Sequence, residues 1–313
     1  MMLLAGTVPL EGVPLVCGEV GADGDFLVVG GHRIPRGQGT GAMIGSALVT
    51  ADYLRLERPH AVIAGDSGQG VGSRAIYEYL IENVGRIQPQ VLTLHYCLPD
   101  MALTRELCRA VGRCDRRPAM IADAASMYAA KAAGLAQDFD IFTPDATEIA
   151  FLADSEATHP AYIARHLFDT DIGHTPELVK IAYENKSAAS LLLVKGSIDY
   201  VAENGTIMAS VSEPDVPALE AVGGTGDTIT GLVSALVYCG LELQEAAVIA
   251  AKANRTAGQL AQATPATRVS EIIDRFPEVF RTHLCTWSGV CSVTAGEYNR
   301  FMDHTNDEEG NRQ

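Results

Sequence analysis

Apolar residues along this chain follow two rhythms. Short, nearly unbroken apolar runs occur as DFLVVGG at 25–31, HAVIAGD at 60–66, QVLTLHYC at 90–97, PAMIAD at 118–123, DIFTP at 140–144 and SLLLVKG at 190–196. Between them lie stretches of helical spacing: AMIGSALVTADYLRL at 42–56, SRAIYEYLIENV at 73–84, PDMALTRELCRAVG at 99–112, a segment over about 124–134, and DATEIAFLA at 145–153. Pro99 is suited to a helix start. Runs apolar throughout suit strands buried on both faces, and strand–helix alternation predicts a parallel sheet covered by helices. The rhythm changes near 190. IDYVAENGTIMASV sets Asn204-Gly205 between two β-rich runs, a hairpin signal because both turn residues tolerate positive φ. A long Ala-rich helix over LQEAAVIAAKANRTAGQLAQA follows, then a weaker one near 270–281. The expected fold is a three-layer α/β/α arrangement with a mainly parallel central sheet. Without a repeat or a Pro/Gly/Ser-rich linker, one domain over 1–300 is the simplest organisation, with 301–313 a polar, disordered tail.

Composition narrows the class. With 47% apolar and 20% charged residues in a chain of 313, an ordinary soluble protein with a sizeable core is expected. No window has the ~18 apolar residues of a membrane span, and the apolar start MMLLAGTVPLEG lacks the basic region of a secretion signal. A cytoplasmic protein is expected, without membrane contact. Against 23 basic side chains stand 39 acidic ones, for a net charge of −16. Such a surface repels nucleic acid, so an anionic ligand requires a local cradle. Seven cysteines include one close pair, Cys285 and Cys291. Reduced, partly buried thiols are the expected reading there, ahead of metal or redox use.

A cradle of that kind stands at AVGGTGDTITGLVSALVYCG, residues 221–240. The first amides of a helix lack intrahelical partners, and its dipole end is positive. Gly223, Gly224 and Gly226, with Thr225, therefore form a candidate phosphate or oxyanion site. Asp227 has two readings from this segment. It is a general base taking a proton from an attacking hydroxyl, or an acid favoured simply by the helix dipole. Asp145 and Glu148, three apart in FTPDATEIAFL, can hold Mg²⁺ or form a capping box. Lys195 and Gly196 end a strand, where a lysine can face a nucleotide phosphate or simply reach solvent. Asn254 can touch a base or be merely exposed. His32, Arg33 and Arg36 can recognise an anion or be loop basics. The loop GDSGQGVGS at 65–73 either lines a pocket or is a flexible turn.

Taken in order, these segments resemble the ribokinase-like superfamily over roughly 118–262, and within it the nucleotide-dependent NAD(P)H-hydrate dehydratases. GGTGDTITGLVSAL is similar to the superfamily's G-x-G-D signature. The resemblance implies that Asp227 is the catalytic acid/base and that residues 223–226 and the amides around them form the anion hole. PDATEIAFL resembles the N-x-x-E magnesium and phosphate motif, and TPDATE the dehydratases' TPH-x-x-E. LLLVKGSIDYVAENG resembles the strand and hairpin before the nucleotide loop, which implies nucleotide contacts at Lys195, Gly196 and Asn254. PAMIADAASMY resembles the dehydratases' strand entering "DA". VVGGHRIPRGQGTGAMIGSA echoes their glycine-rich beginning. Together these imply a substrate face with Gly31, Gly41 and Asp123. The implied chemistry is phosphorylation of the hydrate hydroxyl by ADP or ATP with Mg²⁺, then loss of phosphate to restore the nicotinamide ring. Three departures stand out. Asp145 replaces the histidine of TPH, LHYCLPDM at 94–101 takes the place of a GPGLG run, and Asp199 stands where a threonine usually follows KG. An ATP-dependent kinase acting on a sugar or vitamin precursor, and a nucleotide sensor without chemistry, are the other readings. Implied partners are a small-molecule substrate, an adenine nucleotide and further copies of the chain in a homo-oligomer.

Overall fold

The computed structural model describes residues 1–157 and 174–290. Its strands are β1 (Met2–Val8), β2 (Val16–Asp23), β3 (Phe26–Val29), β4 (His32–Pro35), β5 (His60–Gly65), β6 (Val91–His95), β7 (Ala119–Asp123), β8 (Ile141–Phe142), β9 (Leu191–Val194), β10 (Asp199–Glu203) and β11 (Thr206–Val211). They form one eleven-stranded sheet in the order β11-β10-β9-β8-β7-β6-β1-β5-β2-β3-β4. From β9 through β5 the neighbours run parallel, and antiparallel strands extend both edges. The helices are α1 (Thr40–Leu54), α2 (Val71–Ile87), α3 (Met101–Val111), α4 (Ala125–Ala132), α5 (Ala146–Ala153), α6 (Thr175–Glu184), α7 (Thr225–Tyr238), α8 (Leu243–Leu260), α9 (Val269–Ile273) and α10 (Phe276–Ser288).

Side-chain alternation along the central strands explains the two helical layers. Met2, Leu4, Ala61, Ile63, Leu191 and Leu193 pack into the core beneath α1 and α7–α10. Their neighbours Leu3, Ala5, Val62, Ala64, Leu192 and Val194 pack into the other core, beneath α2–α6. Both faces are covered, so these strands must be apolar throughout. β1 runs up the centre between β5 and β6, and every residue of it is buried. The apolar start of the chain is thus an interior strand of the sheet, between β5 and β6. The Asn204-Gly205 hairpin joins β10 to β11 as expected, with φ of 51° and 78°. Asp100, rather than Pro99, opens α3: its carboxylate accepts from the amides of Ala102 and Leu103. The weak helix expected near 270–281 is two helices, α9 and α10. Among the described residues no helix is long and apolar enough to cross a membrane.

The packing of α1 on α7 sets the position of the candidate cradle. A Cβ placed on Gly231 would lie 2.0 Å from the Met43 carbonyl oxygen and 2.1 Å from Ser46 Oγ. Only hydrogen leaves room for that approach. Gly231→Ala is expected to lower stability by about 1–3 kcal/mol through overpacking. A urea midpoint equal to that of the unsubstituted protein would show that the two helices can part without cost.

Candidate active site

The carboxyl ends of β6, β7 and β9 and the start of α7 meet above the sheet. Ligand crevices of open α/β folds lie at such strand ends. Each position is set by local backbone. Gly224 caps α7 with φ 100°, which turns the chain into the helix and puts Asp227 in its first turn. Tyr96 and Ala124, directly after β6 and β7, have φ of 53° and 50°. Non-glycine residues held there cost about 1–3 kcal/mol each and cluster at functional sites.

His95 and Asp123, the last residues of β6 and β7, are buried and face Asp227. The Gly39 amide donates to Asp227 Oδ2 at 2.7 Å, and His95 Nε2 lies 3.1 Å from Asp227 Oδ1. Nε2 is also 3.6 Å from Asp123 Oδ2. Lys195 Nζ sits 3.0 Å from both Asp123 oxygens, and Thr230 Oγ1 donates to Asp123 Oδ2 at 2.5 Å. Asp227, His95, Asp123 and Lys195 thus form a line of alternating charge. Burial alone would raise the Asp123 pKa, but Lys195 and His95 overcome it and hold the carboxyl well below its usual range. Burial would lower His95, yet the hydrogen bonds and charges of Asp123 and Asp227 raise it to about 9. Lys195 is likewise raised despite burial, chiefly by the charges of Asp123 and Glu148.

Two cavities flank Asp227. The first, of about 450 Å³, is lined by Lys195, Gly196, Thr225, Gly226, Asn254 and Asp145, among others. The second, of about 520 Å³, is lined by Thr7, Gln38, Gly39, Asp66, Leu98 and Gly223, among others. Asp227, Gly224 and Tyr96 belong to both. Most polar side chains of the second cavity are committed elsewhere. Thr7 donates to the Tyr96 carbonyl, and Thr40 to the Thr7 carbonyl. Asp66 accepts from the amides of Gly68, Gln69, Gly70 and Ser73 and from the Ser73 hydroxyl, which ties down the 65–73 loop. The flexible-turn reading of that loop fails, because one carboxylate binds it together.

The other expected site residues sort by environment. Asp145 and Glu148 do form a capping box: Asp145 Oδ1 accepts from the amides of Thr147 and Glu148, and Glu148 Oε2 from the Asp145 amide. The Tyr128 hydroxyl donates to Glu148 Oε1, so both Glu148 oxygens are engaged. Burial first, then the Asp123 charge, push the Glu148 carboxyl up to about 7. Both residues line the first cavity, and Asp145 has one oxygen, Oδ2, outside the capping box. Lys195 does not reach freely into solvent but pairs with Asp123. Asn254 is buried and accepts from the Thr228 hydroxyl, so it is not merely exposed.

Gly31 sits exposed in the β3–β4 turn, outside the linings of the two cavities. It is therefore set apart from Asp123, which lines the first. Gly41 lines a neighbouring cavity instead, and a Cβ there would lie 2.2 Å from the Pro35 carbonyl oxygen, a packing constraint. His32 lies near the Gly30 carbonyl, Arg33 pairs with Asp23 over the Phe26 ring, and Arg36 pairs with Asp274. Each arginine thus has an internal carboxylate partner, although Arg36 Nε is buried without a hydrogen bond. Asp199 is buried against Arg255 and accepts from the Gly196 amide, while Arg255 also donates to the carbonyls of Gly196 and Ser197. That pair, which replaces the expected threonine, braces the loop at the first cavity. Cys285, in α10, is disulfide-bonded, which corrects the expectation of a reduced thiol there. Cys291 and the tail lie outside the described residues. The alanine-rich pattern around 243–263 gave no sign of Arg255, and His95 was hidden inside an apolar run. Its one signal was an ionisable side chain at the end of a buried parallel strand.

His95, Asp123 and Asp227 place ligand atoms within 4.8 Å of one another, a spacing that a metal ion could use. The hydrogen-bond roles favour an ion-pair line instead. With Lys195 against Asp123 and His95 Nε2 directed at two carboxylates, the charges already cancel.

Comparison with known proteins bears on the family and the fold. The NAD(P)H-hydrate dehydratase family model, of carbohydrate-kinase type, matches residues 100–277. An uncharacterized protein of Methanocaldococcus jannaschii is 36% identical over 242 residues, covering 77% of this chain and 100% of that protein. A bifunctional NAD(P)H-hydrate repair enzyme of Pyrobaculum aerophilum is 29% identical over 194 residues, 59% of this chain but only 35% of its own length. A ribokinase-like superfamily protein from Enterococcus faecalis superposes with a TM-score of 0.53 at 12% identity, covering 91% of this chain and 86% of that one. A putative kinase of Bacillus subtilis gives 0.51 at 15% identity, over 90% and 92%. Those two likenesses establish the ribokinase-like fold alone. From its match to the family model over more than half of its length, the chain belongs to the NAD(P)H-hydrate dehydratase family.

Proposed function

We propose that this protein transfers a phosphoryl group from ADP or ATP to an alcohol, with Asp227 as general base and hydrated NAD(P)H as the acceptor. One observation carries the reading: Asp227 borders both cavities, so a nucleotide tail in the first and a hydroxyl in the second can meet at its carboxylate. The hydroxyl proton passes to Asp227. The freed oxygen bonds to the terminal phosphorus, and the bond from that phosphorus to the bridging oxygen breaks, its electrons leaving with the shortened nucleotide. In the hydrate, the new phosphate group then departs with the electrons of its carbon–oxygen bond. A ring proton is lost, and the double bond returns.

The chain's own groups do the positioning. The amides at the start of α7 face the transferring group, where the helix dipole favours negative charge. Lys195 lies beside Gly226, whose Cβ would stand 3.5 Å from its Nζ, and supplies a cation at the same place. Mg²⁺ arriving with the nucleotide would neutralise phosphate charge, and Asp145 is the residue suited to receive it.

The test is to supply hydrated NADH with ADP or with ATP and follow the near-ultraviolet absorbance of restored NADH. Recovery with either nucleotide is expected. No recovery with both removes the dehydratase reading. A second reading, a small-molecule kinase, is favoured by Asp145 in place of the family histidine. Gln38, which lines the second cavity, can take the polar edge of either acceptor. Nucleotide consumption that leaves a stable phosphorylated product would select the kinase reading.

A further inference from the structure

We propose that His95 is a positioning residue of this site: a buried imidazolium, tied to Thr40 on one side and set between Asp227 and Asp123 on the other. In this state it aims the Asp227 carboxylate at the junction of the two cavities. The inference rests on the reading of Asp227 as the base and deepens it.

The proton count follows from the partners. The Thr40 hydroxyl has one hydrogen, and that hydrogen goes to the Thr7 carbonyl at 2.6 Å. Toward His95 Nδ1, 3.1 Å away, Thr40 Oγ1 is therefore an acceptor, and Nδ1 carries a proton. On the other side Nε2 faces Asp227 Oδ1 at 3.1 Å and Asp123 Oδ2 at 3.6 Å. Carboxylates accept, so Nε2 carries a proton too. A ring protonated at both nitrogens is cationic, and this one is fully buried. Two carboxylates supply the opposing charge. Asp227 comes from α7 and Asp123 from β7, and Lys195, from the end of β9, lies beyond Asp123. The Tyr96 ring packs edge-on against the imidazole with centroids 4.6 Å apart, and its hydroxyl, pushed up to about 12 by burial and then by the charge of Asp227, stays neutral.

The consequence for Asp227 is geometric. Gly39 and His95 occupy one lone-pair direction on each oxygen, which fixes the plane of the carboxylate. Through Asp123 the same ring touches the partner of Lys195.

The test uses full-length protein with isotope-labelled histidine, and proton–nitrogen spectra of the imidazole rings recorded across pH. The His95 signals are assigned by their loss in His95→Gln. Both ring nitrogens of His95 should carry protons at neutral pH and above ~6.5, where an unperturbed histidine gives its proton up. Asp227→Asn should lower the His95 midpoint by about 1–3 units. A neutral ring at neutral pH with a bare Nε2, or a midpoint unmoved by Asp227→Asn, overturns the proposal. In turnover assays, His95→Gln should reduce kcat by roughly tenfold or more with the nucleotide KM unchanged. The fall in wild-type activity as His95 loses its proton at high pH should be absent from the variant. A variant with wild-type kcat and an unaltered pH profile would also overturn it. The spectra require no substrate, so a failed acceptor assay and a failed positioning role are told apart.

Discussion

Asp227→Asn is expected to cut turnover by about 10²–10⁴-fold while nucleotide binding survives, the range for loss of a general base. The substitution keeps the size of the side chain and removes its basicity. It also brings a conflict: both neighbours of this carboxylate, the Gly39 amide and His95 Nε2, are donors. An asparagine offers one acceptor and one donor, so one neighbour is left facing an NH₂ group, at a cost of about 1–3 kcal/mol in stability. Turnover and calorimetric nucleotide binding should therefore be measured together at a temperature where the variant is folded. Near-normal turnover would remove Asp227 from the chemistry. Loss of nucleotide affinity with turnover would instead point to a disturbed cradle, since the first cavity is built from neighbours of Asp227 as well as from the residue itself.

The architecture was legible because buried parallel strands announce themselves. HAVIAGD, PAMIAD and SLLLVKG became β5, β7 and β9, and each helical stretch between them became a helix within a few residues. What escaped was of another kind. β1 is as apolar as any strand here, but at the start of a chain such a run reads as a leading segment, and only its pairing with both β5 and β6 reveals a central strand. β2 and β4 lie toward an edge of the sheet, where exposed positions break the pattern.

The site divides along the same line. Asp227 and its glycines could be found because a helix start made of such residues is locally unusual. Lys195 and Asp123 were each noticed, but separately, since an ion pair between the ends of β7 and β9 is a property of strand order. His95 was invisible for a related reason: a histidine in an apolar run reads as core until β6 is known to lie beside β7 and beneath α7. Residues whose meaning is set by three or four elements at once have no local signature.

Asp123 is where removal of one charge should cost the most stability. Its oxygens accept from Lys195, from the Thr230 hydroxyl and from its neighbour's amide, and face His95, so every partner is a donor or a cation. In Asp123→Asn, either orientation of the amide points an NH₂ group at donors and leaves Lys195 short of its counter-ion. Breaking a buried pair in this way typically costs about 3–5 kcal/mol. At about 2–4 °C per kcal/mol this lowers Tm by roughly 6–20 °C. Lys195→Met removes the stranded cation, so the double variant should be more stable than the sum of the two single losses predicts. The pH dependence has a defined sign. The folded pKa of Asp123 lies below its unfolded value, so its contribution is present above pH ~4 and is lost as pH falls through the folded value. His95 is raised instead, so its contribution is complete below pH ~6.5 and is lost as pH rises toward about 9. Denaturant midpoints of the wild-type protein should therefore decline at both ends of that range. In Asp123→Asn the acid-side decline should weaken, because the group responsible for it no longer titrates. An acid limb as steep in the variant as in the wild type would mean that other carboxylates, not this one, govern acid stability.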